Sequence, residues 1–281
     1  MCATCGCGDD GHAGPVITLP GQDHPHDPHQ HEEHHGHDHH HHHDRHAETT
    51  STETVTLEQK VLAKNDLIAD ENRRWLRRRG ILALNMTSSP GAGKTTLLER
   101  TIREFGSHRP MAVIEGDQET LLDADRISAA GARSVQINTG AGCHLDAAMV
   151  HSALDALDPD PDSVLFIENV GNLVCPALFD LGEGSKIVVV SVTEGADKPL
   201  KYPHMFAAAD LVVINKIDLL PYVDFDMQTC CKRARSVNPG VAILPVSATR
   251  GDGLEPWYAW IDARANVTLP ATAVDNTNLR E

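Results

Sequence analysis

The chain has 281 residues, a formal net charge of −16 and 41% hydrophobic residues, enough for one buried core of ordinary size. The acidic balance argues against nucleic acid or an anionic membrane as a partner and favours a small molecule or another protein. No run reaches the ~18 apolar residues of a membrane span, and MCATCGCGDDGHAG at the start has no basic or apolar leader region, so a cytoplasmic location with mainly reduced cysteines is expected.

Residues 1–53 carry almost no large apolar side chains and are expected to form a disordered metal-binding arm. Cys2, Cys5 and Cys7 place three thiols within six residues. That spacing can wrap one soft or borderline ion, with the Met1 amine completing a tetragonal Ni(II) set. A redox pair in a mobile arm is the alternative. Thirteen of the 18 histidines lie between His24 and His46, interleaved with Asp27, Glu32, Glu33, Asp38 and Asp44. Neutral imidazoles at this density offer many overlapping ligand sets for divalent transition metals. A purification tag is the bland reading, and the interleaved carboxylates argue against it.

Residues 54–281 are expected to form one α/β domain. Leu57, Val61, Ile68 and Trp75 give a helical period over residues 56–79, closed by Gly80. The arginines in its last turns are read as charge complementing the helix C-terminus rather than as a partner site. Short apolar runs then predict strands at 81–86, 111–114, 134–138, 163–167, 186–192, 211–215 and 241–246, separated by helical stretches. That alternation implies a mostly parallel, doubly wound sheet with helices on both faces. A polar tail is expected from about residue 266.

The first strand leads into SSPGAGKTT. Glycines there let backbone N–H groups wrap phosphate oxygens, and the following helix N-terminus favours the negative charge. Gly91, Ala92, Gly93, Lys94, Thr95 and Thr96 are the candidate phosphate residues, with Lys94 at the β/γ phosphates and Thr95 on Mg²⁺. Ser88 stands where the strict pattern has glycine. Asn215-Lys-Ile-Asp218 resembles the guanine-reading motif of P-loop GTPases, in which the aspartate accepts from the base N1–H and amine while the lysine stem covers the ring. Asn215, Lys216 and Asp218 are therefore candidate GTP-binding residues, joined by Ser247 and Ala248 after the last strand. Asp117 and Glu168 end strands where open α/β sheets hold ligands, and are read as carboxylates for Mg²⁺ or the attacking water, with Gly171 as a γ-phosphate sensor. No glutamine can be assigned to position water, so slow hydrolysis stimulated by dimerisation or a partner is expected.

Cys143-His144 and Cys175 also follow strands, on the edge expected to hold nucleotide. Two thiolates and an imidazole suit Zn²⁺ or Ni²⁺ but are one ligand short, so a second subunit is expected to complete or share the site. His151 is read as packing, and Cys230-Cys231 as structural.

Taken together, the N-terminal Cys-x-x-Cys-Gly-Cys, the His-rich tract and the segments TSSPGAGKTTLL, EGD, NTGAGCHLDA, ENVGNLVCP, TEGADKPLKYP, NKIDLLPY and SATRGDG resemble the HypB family of hydrogenase nickel-incorporation GTPases, of the SIMIBI class. The resemblance covers nearly the whole chain, and Ser88 is normal within it. It implies GTP-dependent Ni²⁺ delivery to the large subunit of [NiFe]-hydrogenase, a nickel site at Cys2, Cys5 and Cys7, and a Zn²⁺ or Ni²⁺ site at Cys143, His144 and Cys175 near a dimer interface. It implies as partners a second copy of the chain, a zinc-binding hydrogenase accessory protein and a nickel-metallochaperone lyase, with Lys198 a candidate for reaching nucleotide across the dimer. Rival readings are a urease-type nickel GTPase and a nickel-storage or detoxification protein.

Overall fold

The computed structural model describes residues 16–18, 50–117, 122–140 and 142–268. Eight strands form one sheet: β1 (Val16–Thr18), β2 (Leu82–Ser88), β3 (Met111–Asp117), β4 (Arg133–Asn138), β5 (Val164–Glu168), β6 (Ser185–Ser191), β7 (Leu211–Asn215) and β8 (Ala242–Pro245). Their spatial order is β1-β4-β3-β5-β2-β6-β7-β8. Every neighbouring pair is parallel except β1 with β4.

Both faces of the sheet are covered, which is why its strands read as unbroken apolar runs. Leu82, Leu84 and Met86 of β2 pack with Phe166, Ile187 and Val189 beneath α2 (Lys94–Phe105), α3 (Leu122–Ala130) and α8 (Leu254–Thr268). The alternate residues Ala83, Ile114, Leu165 and Ile167 face α1 (Thr50–Arg78) and α4 (Ala147–Leu157). Val188, Val190, Val212 and Ile214 continue that second face beneath the short helices α5 (Lys198–Lys201) and α6 (Pro203–Ala207) and beneath α7 (Met227–Val237). Trp257 on α8 is fully buried and donates its Nε1–H to Thr101 Oγ1 at 2.9 Å, tying α8 to α2. Gly80 closes α1 at φ +67°, a left-handed turn in which its own N–H reaches Arg77 O and the Ile81 N–H reaches Leu76 O.

The seven expected strands are all present, with ends that match or shift by at most three residues. β3 runs on through Glu115, which pairs with both β4 and β5, and through Gly116 and Asp117, which pair with β4, so ladder bonds outweigh the polar composition. The arm boundary needs correction at two places. Val16–Thr18, inside the segment expected to be disordered, pairs antiparallel with β4: three β-branched residues meet a strand edge that would otherwise stay open. α1 begins at Thr50, so the expected division at residue 53 falls within a helix; Thr50-Ser-Thr-Glu53 has the S/T-x-x-E pattern that opens helices. Cys2, Cys5, Cys7 and the His24–His46 tract lie outside the described residues.

Candidate nucleotide and metal site

The C-terminal ends of the parallel strands deliver all the candidate G-domain residues to one edge. Between β2 and α2, Gly91 and Gly93 adopt φ of +71° and +93°, and a Cβ on Gly93 would lie 2.6 Å from Asn215 Nδ2. Only glycine permits that approach. Lys94, 8% exposed, donates from Nζ to Ser88 Oγ at 2.8 Å and lies 3.9 Å from Glu168 Oε1. Ser88, the departure from the strict pattern, thus holds the ammonium at the mouth of the loop. Thr95 Oγ1 donates to Glu168 Oε1 at 2.9 Å and lies 3.3 Å from Asp123 Oδ2, while Thr96 Oγ1 accepts from Arg126 at 3.3 Å. Lys198 donates to Ser89 Oγ in the phosphate loop of the same chain at 2.9 Å and pairs with Glu194 at 2.9 Å.

The base-side residues interlock with this loop. Asn215 Nδ2 donates to Ala92 O at 2.9 Å, and its Oδ1 accepts from Lys216 N at 2.7 Å and Ala248 N at 3.1 Å. Lys216, at φ +63°, reaches Gly91 O at 2.7 Å through Nζ. Ser247 Oγ donates to Asp218 Oδ1 at 2.6 Å, which fixes the carboxylate's orientation. Segments more than a hundred residues apart therefore form one cradle.

Pairing of β3 with β5 sets Glu115 directly beside Glu168. Burial, reinforced by the charges of Glu168, Asp123 and Asp117, pushes the Glu115 carboxyl up to about 9. Burial also raises Glu168, against the pull of Lys94 and the Thr95 hydroxyl. Glu115 Oε1 and Glu168 Oε2 are buried without a hydrogen-bond partner. A divalent cation is what such orphaned carboxylate oxygens fit. They open, with Asp117, Asp123, Lys94 and Thr95, into a cavity of about 610 Å³ that also exposes Gly171, Asn172 and Cys143.

Cys143 belongs to a metal-competent cluster as well. Cys143 Sγ lies 3.1 Å from Cys175 Sγ and 3.6 Å from His144 Nδ1, and the ligand atoms of all three residues lie within 4.8 Å of one another. Cys175 opens a 3-10 turn, Cys175–Ala177, seven residues past Glu168; Cys143 and His144 lie in the loop between β4 and α4. Burial lowers the His144 pKa against the opposing charge of Asp146, favouring the neutral imidazole that ligates. The two loops are bonded together. Asn169 Oδ1 accepts from Leu145 N at 3.2 Å, and Asn172 Nδ2 donates to Cys143 O at 3.1 Å while its Oδ1 accepts from Val174 N at 2.8 Å. Gly116 admits Leu145 against β3, since a Cβ there would meet the leucine side chain at 2.8 Å. Two thiols and an imidazole on a rigid base can take a four-coordinate ion with one position left open.

A family model for the nucleotide-binding domain of CobW/HypB/UreG proteins matches residues 82–245, from the strand before the phosphate loop to β8. The chain belongs to the CobW/HypB/UreG family. Within this family of P-loop GTPases it groups with the hydrogenase maturation factors. It is 59% identical over 209 residues to hydrogenase maturation factor HypB of Rhizobium leguminosarum bv. viciae, covering 74% of this chain and 70% of that one. Among solved structures it resembles HypB from Archaeoglobus fulgidus, at 40% identity and TM-score 0.68 over 73% of this chain and 100% of that one. It also resembles HypB from Helicobacter pylori in complex with nickel, at 38% identity and TM-score 0.69 over 74% and 98% of the respective chains.

Within this family frame, the sequence reading overlooked Glu115, Asp123 and Arg126. Asp123 sits at the start of α3 with no motif around it, and Arg126 binds both Asp123 at 2.8 Å and Glu99 at 2.7 Å. Glu115 was visible only as a polar residue before Asp117; strand register alone puts it next to Glu168. His151 lies apart from the cluster, with Nδ1 2.9 Å from Asn72 Oδ1. Cys230 is buried in α7 with its thiol pushed up to about 11, chiefly by burial, which suits packing rather than ligation. No described helix is long and apolar enough to cross a membrane.

Proposed function

We propose that the chain is a GTP-hydrolysing nickel metallochaperone acting in the maturation of the [NiFe]-hydrogenase large subunit. The observation that carries this reading is Cys143 itself, which both lines the phosphate cavity and lies 3.1 Å from Cys175. Nucleotide and metal would share a wall. Gly91 to Thr96 would hold the phosphates, and Asn215, Lys216 and Asp218 with Ser247 and Ala248 would read guanine. Thr95, Asp117 and Glu168 fit Mg²⁺, which when bound neutralises charge on the β and γ phosphates. Lys94 would leave Ser88 for the phosphates, and the segment from Glu168 through Asn169, Gly171 and Asn172 would transmit the change to Cys175 and Cys143. Nickel affinity would then differ between GDP and GTP states by population shift, a tenfold change needing only ~1.4 kcal/mol of differential interaction.

The same reading assigns Zn²⁺ or Ni²⁺ to Cys143, His144 and Cys175, high-affinity Ni²⁺ to Cys2, Cys5 and Cys7, and nickel storage to the histidine tract. It places the protein in the cytoplasm. Slow hydrolysis linked to a homodimer promoted by GTP or metal follows from the lack of an assigned water-positioning group. The partners are a zinc-binding hydrogenase accessory protein, a nickel-metallochaperone lyase and the hydrogenase large subunit. The deciding experiment is nickel titration of protein in which Cys2, Cys5 and Cys7 are serine, with GDP and with a non-hydrolysable GTP analogue, following oligomeric state in parallel. The affinities are expected to differ; equal affinities and stoichiometries would sink the coupled mechanism.

A further inference from the structure

Lys186 is the second residue of β6, a strand covered on both faces, and it is 8% exposed. Lysines are almost never buried to this degree unless their charge is paired, because the ammonium gives up its water. Its surroundings here replace that water. Nζ donates to Pro176 O at 3.0 Å and lies 3.4 Å from Phe179 O and 3.5 Å from Glu183 Oε1. Pro176 follows Cys175 directly in its 3-10 turn. The Phe179 ring lies against the His144 imidazole, with centroids 4.0 Å apart and planes tilted by 33°. One ammonium thus holds both ends of the segment that supplies the Cys175 thiol and backs His144.

Glu183 ties this clamp to the nucleotide edge. Its Oε1 accepts from Asn85 Nδ2 at 2.9 Å and its Oε2 from Leu181 N at 2.7 Å. Asn85 of β2 pairs in register with Lys186, and its Oδ1 accepts from Asn169 Nδ2 at 3.4 Å. Asn169 follows Glu168, and its own Oδ1 accepts from the N–H of Leu145, the residue after His144. Asn169, Asn85, Glu183 and Lys186 therefore form one chain of polar side chains from the end of β5 to the backbone beneath Cys175. Apolar side chains of similar volume would fill this space at lower electrostatic cost, so the network points to the segment it holds rather than to stability alone.

We infer that Lys186 is a positioning residue of the metal site: its ammonium fixes the Cys175–Phe179 segment, so that the Cys175 thiolate and the His144 imidazole stand beside Cys143 before the ion arrives. This role rests on the proposed metal site at Cys143, His144 and Cys175. Groups that orient metal ligands from behind are worth about 10- to 100-fold in affinity when removed. Lys186 itself lies outside the nucleotide cavity, so nucleotide binding serves as an internal reference.

The test uses the full-length protein with Cys2, Cys5 and Cys7 changed to serine, titrated with Ni²⁺ and followed by the thiolate-to-nickel charge-transfer absorption, which the histidine tract does not produce. Glu183→Gln removes the carboxylate charge and leaves the ammonium on its two carbonyls. Adding Lys186→Met to that variant removes the ammonium without stranding a buried charge. Nickel affinity is then expected to fall about 10- to 100-fold below that of Glu183→Gln alone, with less absorption per bound ion as Cys175 leaves it, while GDP affinity stays within about threefold. If the methionine variant fails to fold, Lys186→Gln in the same background replaces it: the amide is polar and neutral but too short to hold both carbonyls, and about a fivefold loss is expected. Nickel affinity within about twofold of Glu183→Gln, or unchanged absorption per bound ion, overturns the positioning role. Cys143→Ser in the parent is expected to abolish the absorption. If the absorption persists there, the metal site and the role of Lys186 fall together, whereas a Cys143-dependent absorption insensitive to Lys186 overturns the positioning role alone.

Discussion

Asn172 offers the most direct way to separate metal-site geometry from the nucleotide cradle. Its side chain makes two bonds: Nδ2 to Cys143 O at 3.1 Å and Oδ1 from Val174 N at 2.8 Å, so one residue staples the loop of Cys143 to the turn of Cys175. Each bond is worth a net ~0.5–1.5 kcal/mol, and Asn172→Ala removes both, a loss of ~1–3 kcal/mol. For a domain of this size that lowers the melting temperature by about 2–4 °C per kcal/mol. The larger consequence falls on the metal. With the staple intact the two sulfurs are already 3.1 Å apart; without it the ion must itself order the loops. If most of the loss appears in binding, nickel affinity falls about 5- to 150-fold. The assay is a chelator competition on protein with Cys2, Cys5 and Cys7 changed to serine, beside a thermal melt. A lower melting temperature with nickel affinity within twofold of the parent would falsify the staple and leave Asn172 a merely structural residue.

On the proposed reading of guanine, Asp218→Ala would remove the acceptor of two charge-assisted bonds, roughly 3–6 kcal/mol, so GTP affinity should fall more than about a hundredfold while affinity for ATP stays level; equal losses for both nucleotides in a filter-binding assay would argue against base reading. Lys94→Ala should cut single-turnover GTP hydrolysis at least about a hundredfold, and hydrolysis within threefold of the parent would remove Lys94 from the phosphates. Glu115 gives a pH signature in magnesium-free buffer. The folded chain keeps its proton up to about 9, whereas the unfolded carboxyl releases it near its ordinary 4.5. The folded state therefore binds more protons in between, and stability falls as pH rises across that window. Glu115→Gln should flatten the decline and melt higher than the parent at pH 8–9, and added Mg²⁺ should flatten it in the parent; parallel curves for the two proteins would refute the buried neutral carboxyl.

Local chemistry made much of this protein legible in one dimension. A phosphate loop needs glycines, lysine and threonine within a few positions, so Gly91, Gly93, Lys94 and Thr95 propose one without a fold; the proposed guanine reading likewise sits in four residues, Asn215 to Asp218. Apolar runs of strand length separated by helical stretches implied the doubly covered parallel sheet, because burial on both faces removes polar alternation. What the sequence could not rank were contacts between distant segments. Cys143 and Cys175 are individually unremarkable as cysteines, and only the crossing of two loops bonded through Asn169 and Asn172 makes them a pair. Glu115 becomes a buried neutral acid because β3 registers against β5 to set it beside Glu168. Val16–Thr18 becomes a strand because β4 offers an edge. The arginines at the end of α1, read as complements to a helix terminus, are sorted by tertiary neighbours: Arg73 and Arg79 find Asp180 and Asp158, and Arg77 faces a cavity. Residue type and spacing determine which ligands a segment can bind; burial, register and loop closure determine which segments act together, since each depends on contacts that no local window contains.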